Sequence, residues 1–317
     1  MKPLGDVFIP KNYDESLPEL RDKYFAWKME FSSKTDISNT GQITYYEIRD
    51  AATRGNFVLV PGLASNTQIE PLMRAVTYWS LKHKYNIYAV DHFLGDFKPE
   101  NTKELAARNT APEFIDLLDV GLDIVSKMSI GKWTCVVGHS LGGLGTLEVF
   151  NRRVQQNKPV GFSGAILFAP FVTPEWHDFT KRFMKHYQYP NLSDEEFYKS
   201  PIGLSSLHDV YYAKQARYIS LYPGFYDEID KLPVRPELMA RYNIPVTLVA
   251  GGCDKKSPAE YMRLLCADVH DCQNSDNVTL VEFPTSRHSF IDQHNDWSAI
   301  LRLIKSQHIS SRKTKTK

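Results

Sequence analysis

Residues Trp133–Gly145 read W-T-C-V-V-G-H-S-L-G-G-L-G. A short apolar run ends in Gly138-His139-Ser140-Leu141-Gly142, and a stretch of helical pattern follows at once. Strand, sharp turn and helix are the context that gives G-x-S-x-G its meaning, because the turn holds the serine hydroxyl above the sheet edge. Gly138 and Gly142, two residues to either side, let the backbone pass close to itself where a side chain would clash. The helix that begins near Leu141 turns its positive end toward the hydroxyl.

The same alternation extends to both sides of this stretch. Asn56–Val60 (N-F-V-L-V) and Asn86–Val90 (N-I-Y-A-V) are short apolar runs, as are Phe162–Phe168 and Ile244–Ala250, and all read as strands buried on both faces. Val278–Phe283 is a further strand, and Tyr24–Ser32 and Gln42–Ile48 add two with aromatic and β-branched residues in partial alternation. Between the apolar strands the spacing predicts helices. They run over Ile69–Lys84 (Ile69, Leu72, Met73, Val76, Trp79 on one face), Ala111–Met128, Leu141 to about Val154, about Pro258–Ala267 and about Gln293–Ser306. Strands alternating with helices predict an α/β fold with a mostly parallel sheet covered on both faces.

The pattern lapses between Phe171 and Tyr242. Less than a quarter of the chain, this segment holds more than a third of its Phe, Trp and Tyr residues. The expected organisation is therefore a core of residues 1–170 and 243–310, a helical cap insert at 171–242 that lines a pocket, and a disordered basic tail at 311–317. Residues 1–20, rich in proline and charge, are expected to lie as an arm over the core.

Composition narrows the class. The chain has 317 residues, 42% apolar and 24% charged, as a soluble globular protein does. A net charge of +1 gives no electrostatic footprint for nucleic acid or an anionic membrane. The N-terminus lacks an apolar signal region, and no run approaches the roughly 18 apolar residues of a membrane span, so the expectation is a cytoplasmic protein. Nothing in the sequence specifies an oligomeric state. Cys135, Cys253, Cys266 and Cys272 are too few for a disulfide framework and lack the spacing of paired zinc ligands, so they are read as free thiols. Cys135 and Cys253 are expected to be buried.

A serine hydroxyl is a poor nucleophile and needs a base to take its proton and an acid to orient that base. Three strand ends supply candidates in the order Ser140, Asp254 and His288. Asp254 stands four residues past Ala250 on a Gly-Gly turn, and His288 five residues past Phe283. Reactive groups in open parallel sheets gather at the carboxyl ends of the strands, where all three are expected. Acyl transfer also needs two backbone N–H donors for the oxyanion. Leu141, directly after the serine, is one candidate, and Leu63, in Pro61-Gly62-Leu63 after the Asn56–Val60 strand, is the other. His139 points away from Ser140 and is expected to be packed or hydrogen-bonded.

Taken together, G-H-S-L-G-G, P-G-L, G-G-C-D and R-H resemble the α/β-hydrolases. Within them the chain is similar, over about residues 42–305, to the monoacylglycerol lipase and serine aminopeptidase-like group of lysophospholipases and esterases. Asp91-His92 is also similar to the start of a loop in that group. The group continues with two glycines and a serine, whereas here Phe93-Leu94-Gly95-Asp96-Phe97 follows, and Pro61 stands where the group has histidine. The resemblance implies acyl-enzyme chemistry on a carboxylic ester with an apolar acyl group, without a metal or organic cofactor. The same nucleophile would equally serve an acyltransferase, a thioesterase or a peptidase. The two departures leave open an inert module that binds a ligand.

Overall fold

The computed structural model describes residues 2–3, 24–34, 40–49, 53–62, 67, 70–91, 111–172, 234–254, 257–273, 276–288, 290, 302–303 and 306. Most of the expected arm, most of the insert 171–242, the tail 311–317 and all but three residues of the expected last helix lie outside them.

Among the described residues nine strands form one sheet: β1 (Lys2–Pro3), β2 (Tyr24–Ser32), β3 (Thr40–Ile48), β4 (Asn56–Val60), β5 (Asn86–Asp91), β6 (Thr134–His139), β7 (Gly164–Phe168), β8 (Val246–Gly251) and β9 (Val278–Phe283). The helices are α1 (Pro71–Lys82), α2 (Ala111–Met128), α3 (Leu141–Gln155), α4 (Pro236–Met239) and α5 (Ala259–Gln273). The strand order is β1-β2-β3-β5-β4-β6-β7-β8-β9. From β1 to β5 neighbouring strands pair antiparallel, and from β5 to β9 they pair parallel. The sheet is thus mostly parallel.

The apolar runs account for its centre. β4, β6, β7 and β8 are buried at every position, as strands covered on both faces must be. The Phe57 ring meets Trp79 of α1 edge-on at 6.4 Å. Phe57 pairs with Ile87, so Val90, an odd number of residues further along β5, belongs to the opposite face. There it lies against α2, at Gly121, where an added methyl would come within 2.9 Å of Val90 Cγ1. Helices therefore cover both faces.

Two proline effects trim the expected elements. The helix begins at Pro71 rather than Ile69, because the residue before a proline is pushed out of the helical region, and Glu70 is extended at φ −70°, ψ 117°. β8 begins at Val246 rather than Ile244, because Pro245 has no N–H for the ladder. β7 likewise starts at Gly164, and α5 runs on to Gln273 beyond the expected Ala267.

One topological feature positions the site. After β4 the chain passes to β5 on one side, and after β5 it crosses to β6 on the other side of β4. The strand order reverses there, so the connections leaving β4 and β6 run to opposite sides, and the carboxyl ends of these two strands are where an open parallel sheet is expected to take its ligand.

Candidate active site

Ser140 follows β6 directly and precedes α3 with φ 52° and ψ −119°, a conformation that L-residues rarely adopt. Its N–H donates to the Phe168 carbonyl at 2.9 Å, continuing the β6–β7 ladder, and its own carbonyl accepts from Leu144 at 3.1 Å. Backbone bonds on both sides therefore fix the turn. Although Ser140 occupies the cap position of α3, its side chain caps nothing. The hydroxyl instead lies 2.9 Å from His288 Nε2. The turn is also crowded from outside, because a methyl on Gly142 would run into the carbonyl oxygens of Pro61 and Val60, and one on Gly138 would come 3.0 Å from Gly143 Cα. The constraint on Gly142 therefore comes from the end of β4, a neighbour far away in sequence.

His288 Nδ1 lies 2.7 Å from Asp254 Oδ2. The Asp254 side chain is fully shielded from solvent while that of His288 is 16% exposed, so the acid is sealed in and the imidazole reaches the surface. The other carboxylate oxygen, Oδ1, accepts from the Ser257 N–H at 3.0 Å. Ser257 Oγ in turn donates to the Pro170 carbonyl at 2.6 Å, tying the acid loop to the end of β7. The turns after β8 and β9 interlock as well, with Gly252 N–H donating to Phe283 O at 2.9 Å and Cys253 N–H to Ser286 O at 3.0 Å. Ser140, His288 and Asp254, which the sequence put at three separate strand ends, thus form one hydrogen-bonded chain.

Leu141 is the first residue of α3, where a helix leaves its N–H groups without intrahelical partners. Leu63 lies outside the described residues. Its neighbour Gly62 donates its N–H to Glu70 Oε2 at 2.8 Å, and a methyl on Gly62 would stand 3.2 Å from Ser140 Cβ. The segment that follows is held by Asp91, whose two oxygens accept from Thr67 N–H at 2.7 Å and Thr67 Oγ1 at 3.0 Å. Asp91, which the sequence marked only by its likeness to a loop start, anchors the turn that leaves β4.

His139 is buried, as expected, and forms an ion pair with Glu70 through Nδ1 while Nε2 donates to the His288 carbonyl at 2.8 Å. Burial pulls the imidazole toward its neutral form. The Glu70 carboxylate, the two hydrogen bonds and the more distant Asp254 charge outweigh this and raise its pKa above the ordinary histidine value. Glu70 is the residue that the sequence reading missed. A glutamate before Pro71 at a helix start reads as an exposed first-turn acid, and only the fold turns it inward. Cys253 corrects an expectation in the other direction. It is exposed, on the turn beyond the sheet edge, whereas Cys135, inside β6, is buried, and burial pushes its thiol pKa up. Among the described residues no group of three or more His, Cys, Asp or Glu side chains could hold a metal ion, and no helix is long and apolar enough to cross a membrane.

Solved structures match this architecture along nearly the whole chain. The esterase Pf2001 of Pyrococcus furiosus is 16% identical, with 96% of each chain covered and a TM-score of 0.61. The peroxisomal alpha-beta-hydrolase Lpx1 of Saccharomyces cerevisiae is 13% identical over 92% of this chain and 91% of that one, with a TM-score of 0.59. The chain has the α/β-hydrolase fold. A monoacylglycerol lipase of Paleococcus ferrophilus also matches, at 18% identity over 90% of this chain and 99% of that one, with a TM-score of 0.53. No protein-family model and no curated protein sequence matches the chain. In this α/β-hydrolase fold Gly62 meets Ser140 where the carboxyl ends of β4 and β6 lie side by side.

Proposed function

We propose that this protein is a serine hydrolase that cleaves carboxylic esters of lipid-like or small apolar substrates through an acyl-enzyme. The feature that supports the reading most is the unbroken chain from Ser140 Oγ through the His288 ring to Asp254, at 2.9 and 2.7 Å, with the serine on a strained strand-to-helix turn. The solved structures described as esterases and as a monoacylglycerol lipase favour an ester as the substrate.

In this mechanism His288 Nε2 takes the Ser140 proton as Oγ attacks the ester carbonyl carbon. Asp254 stays ionised, keeps the Nδ1 proton facing itself and stabilises the imidazolium. The oxyanion is held by the N–H of Leu141, at the positive end of α3, and by that of Leu63. Collapse expels the alcohol, which takes the proton from His288. Water, activated by the same imidazole, then attacks the acyl-enzyme and releases the acid. The cap insert 171–242, rich in aromatic residues, supplies an apolar wall for the acyl group. Phe171, at the start of the insert, has its ring 5.8 Å from that of His288.

The test is hydrolysis of p-nitrophenyl esters of graded chain length and of monoacylglycerols by purified protein, together with labelling by a fluorophosphonate. Wild type should label and turn over, and Ser140→Ala should neither label nor retain more than about 10⁻⁴ of kcat. Hydrolysis that survives Ser140→Ala would sink the mechanism. A folded wild type that does not label would favour an inert binding module. Added alcohols or amines that divert the acyl group would reveal a transferase.

A further inference from the structure

His139 is 2% exposed, and both of its ring nitrogens face acceptors. Nδ1 faces the Glu70 carboxylate, and Nε2 faces the backbone carbonyl of His288 at 2.8 Å. The carbonyl can only accept, so Nε2 carries an N–H, and the facing carboxylate and its hydrogen bond favour a proton on Nδ1 as well. The pair is therefore an imidazolium beside a carboxylate, neutral as a unit. The second Glu70 oxygen accepts the Gly62 N–H at 2.8 Å. One buried ion pair thus joins three segments that are remote in sequence: the turn leaving β4, the last residue of β6, and the loop that presents His288.

We propose that Glu70 and His139 are positioning residues, a charged clamp that holds the His288 backbone and the Gly62 turn in register with Ser140. The proposal rests on the serine-hydrolase reading above. Neither residue touches the reacting atoms. The clamp acts by geometry and by charge. The His139 and His288 ring centroids are 4.9 Å apart, so an uncompensated charge on either member of the pair would bear directly on the proton that His288 must accept. Among the described residues, the titratable groups that act on His139 are Glu70 from the segment before α1, Asp254 from the loop after β8 and His288 from the loop after β9.

The experiment measures kcat and KM against pH for a short-chain p-nitrophenyl ester, normalised to fluorophosphonate-reactive sites, in wild type, Glu70→Gln, His139→Gln and the double variant. His139→Gln removes the cation that faces the Glu70 carboxylate, so the acid limb of kcat/KM should move up by about one pH unit. Glu70→Gln should not raise the limb. In the double variant, where both charges are gone, the limb should return to the wild-type position. Each single variant should lose about tenfold or more in kcat with a smaller change in KM. An acid limb that stays at the wild-type position in His139→Gln, whatever its kcat, overturns the clamp, because a merely structural role would lower the rate without moving the limb. If the variants fold poorly, ¹⁵N spectra of the wild-type imidazoles at pH 8 decide instead. A His139 ring with both nitrogens protonated upholds the proposal, and a neutral ring overturns it. A wild type that neither labels nor turns over removes the serine-hydrolase reading and this proposal with it, whereas an active wild type with an unmoved limb removes the clamp alone.

Discussion

Ser140 carries a local cost. A non-glycine residue held at φ 52°, ψ −119° stores on the order of 1–3 kcal/mol, which the surrounding backbone bonds must offset. Ser140→Gly should therefore raise stability by about 1 kcal/mol, read as a higher urea midpoint, while abolishing ester hydrolysis. A lower midpoint would show that the turn is unstrained. His139 gives a second prediction at this scale. Folding raises its pKa, so its pairing contributes in full below the unfolded value of about 6.5 and is lost as the pH climbs through the folded one. The stability advantage of wild type over the Glu70→Gln, His139→Gln double variant should be largest near pH 6 and shrink on the alkaline side. Urea titrations at pH 6, 8 and 10 check it.

At the scale of elements, a buried amide ladder ties four strands together at the end of the sheet opposite Ser140. Asn56 Nδ2 donates to Thr134 Oγ1 at 3.0 Å, Asn86 Nδ2 to Asn56 Oδ1 at 3.2 Å, and Ile48 N–H to Asn86 Oδ1 at 3.0 Å. The ladder spans β3, β5, β4 and β6. Asn56→Ala would leave Asn86 Nδ2 buried without that acceptor and should destabilise the protein by about 2 kcal/mol, measurable by denaturation. The strands themselves were legible: β2, β4, β9 and helix α2 run between the residues that apolar patterning assigns them. The meeting of Ser140, Asp254 and His288 in one hydrogen-bonded chain was legible too, because each stands within five residues of a strand's carboxyl end. Glu70 was not, since its partners Gly62 and His139 come together only through the β4–β6 contact, which no local pattern encodes. Cys253 was misread because its place past the sheet edge depends on the interlocked turns, not on its own polarity.

At the scale of the molecule, α3 joins Ser140 to the segment 234–242. Glu148, buried on α3, pairs with Arg235 at 3.1 Å and with Arg152 at 3.3 Å, and Arg152 reaches Asp116 of α2 at 2.5 Å. Further along α3, Tyr242 OH donates to Asn151 Oδ1 at 2.7 Å. Glu148→Ala would take from Arg235 its carboxylate partner, while Arg152 keeps Asp116, and should cost about 2 kcal/mol. A denaturation midpoint equal to that of wild type would show that this junction is slack.

The distance along the chain between Ser140 and His288 has a consequence during synthesis. A nascent polypeptide that has left the ribosome as far as Phe168 already contains every strand from β2 to β7, including the whole amide ladder. It also presents a turn bearing a serine whose imidazole partner lies 148 residues further along the chain and has yet to emerge. The unfinished molecule can thus assemble most of its architecture before the carboxylate and imidazole arrive with β8 and β9, the last strands to join the sheet's open margin.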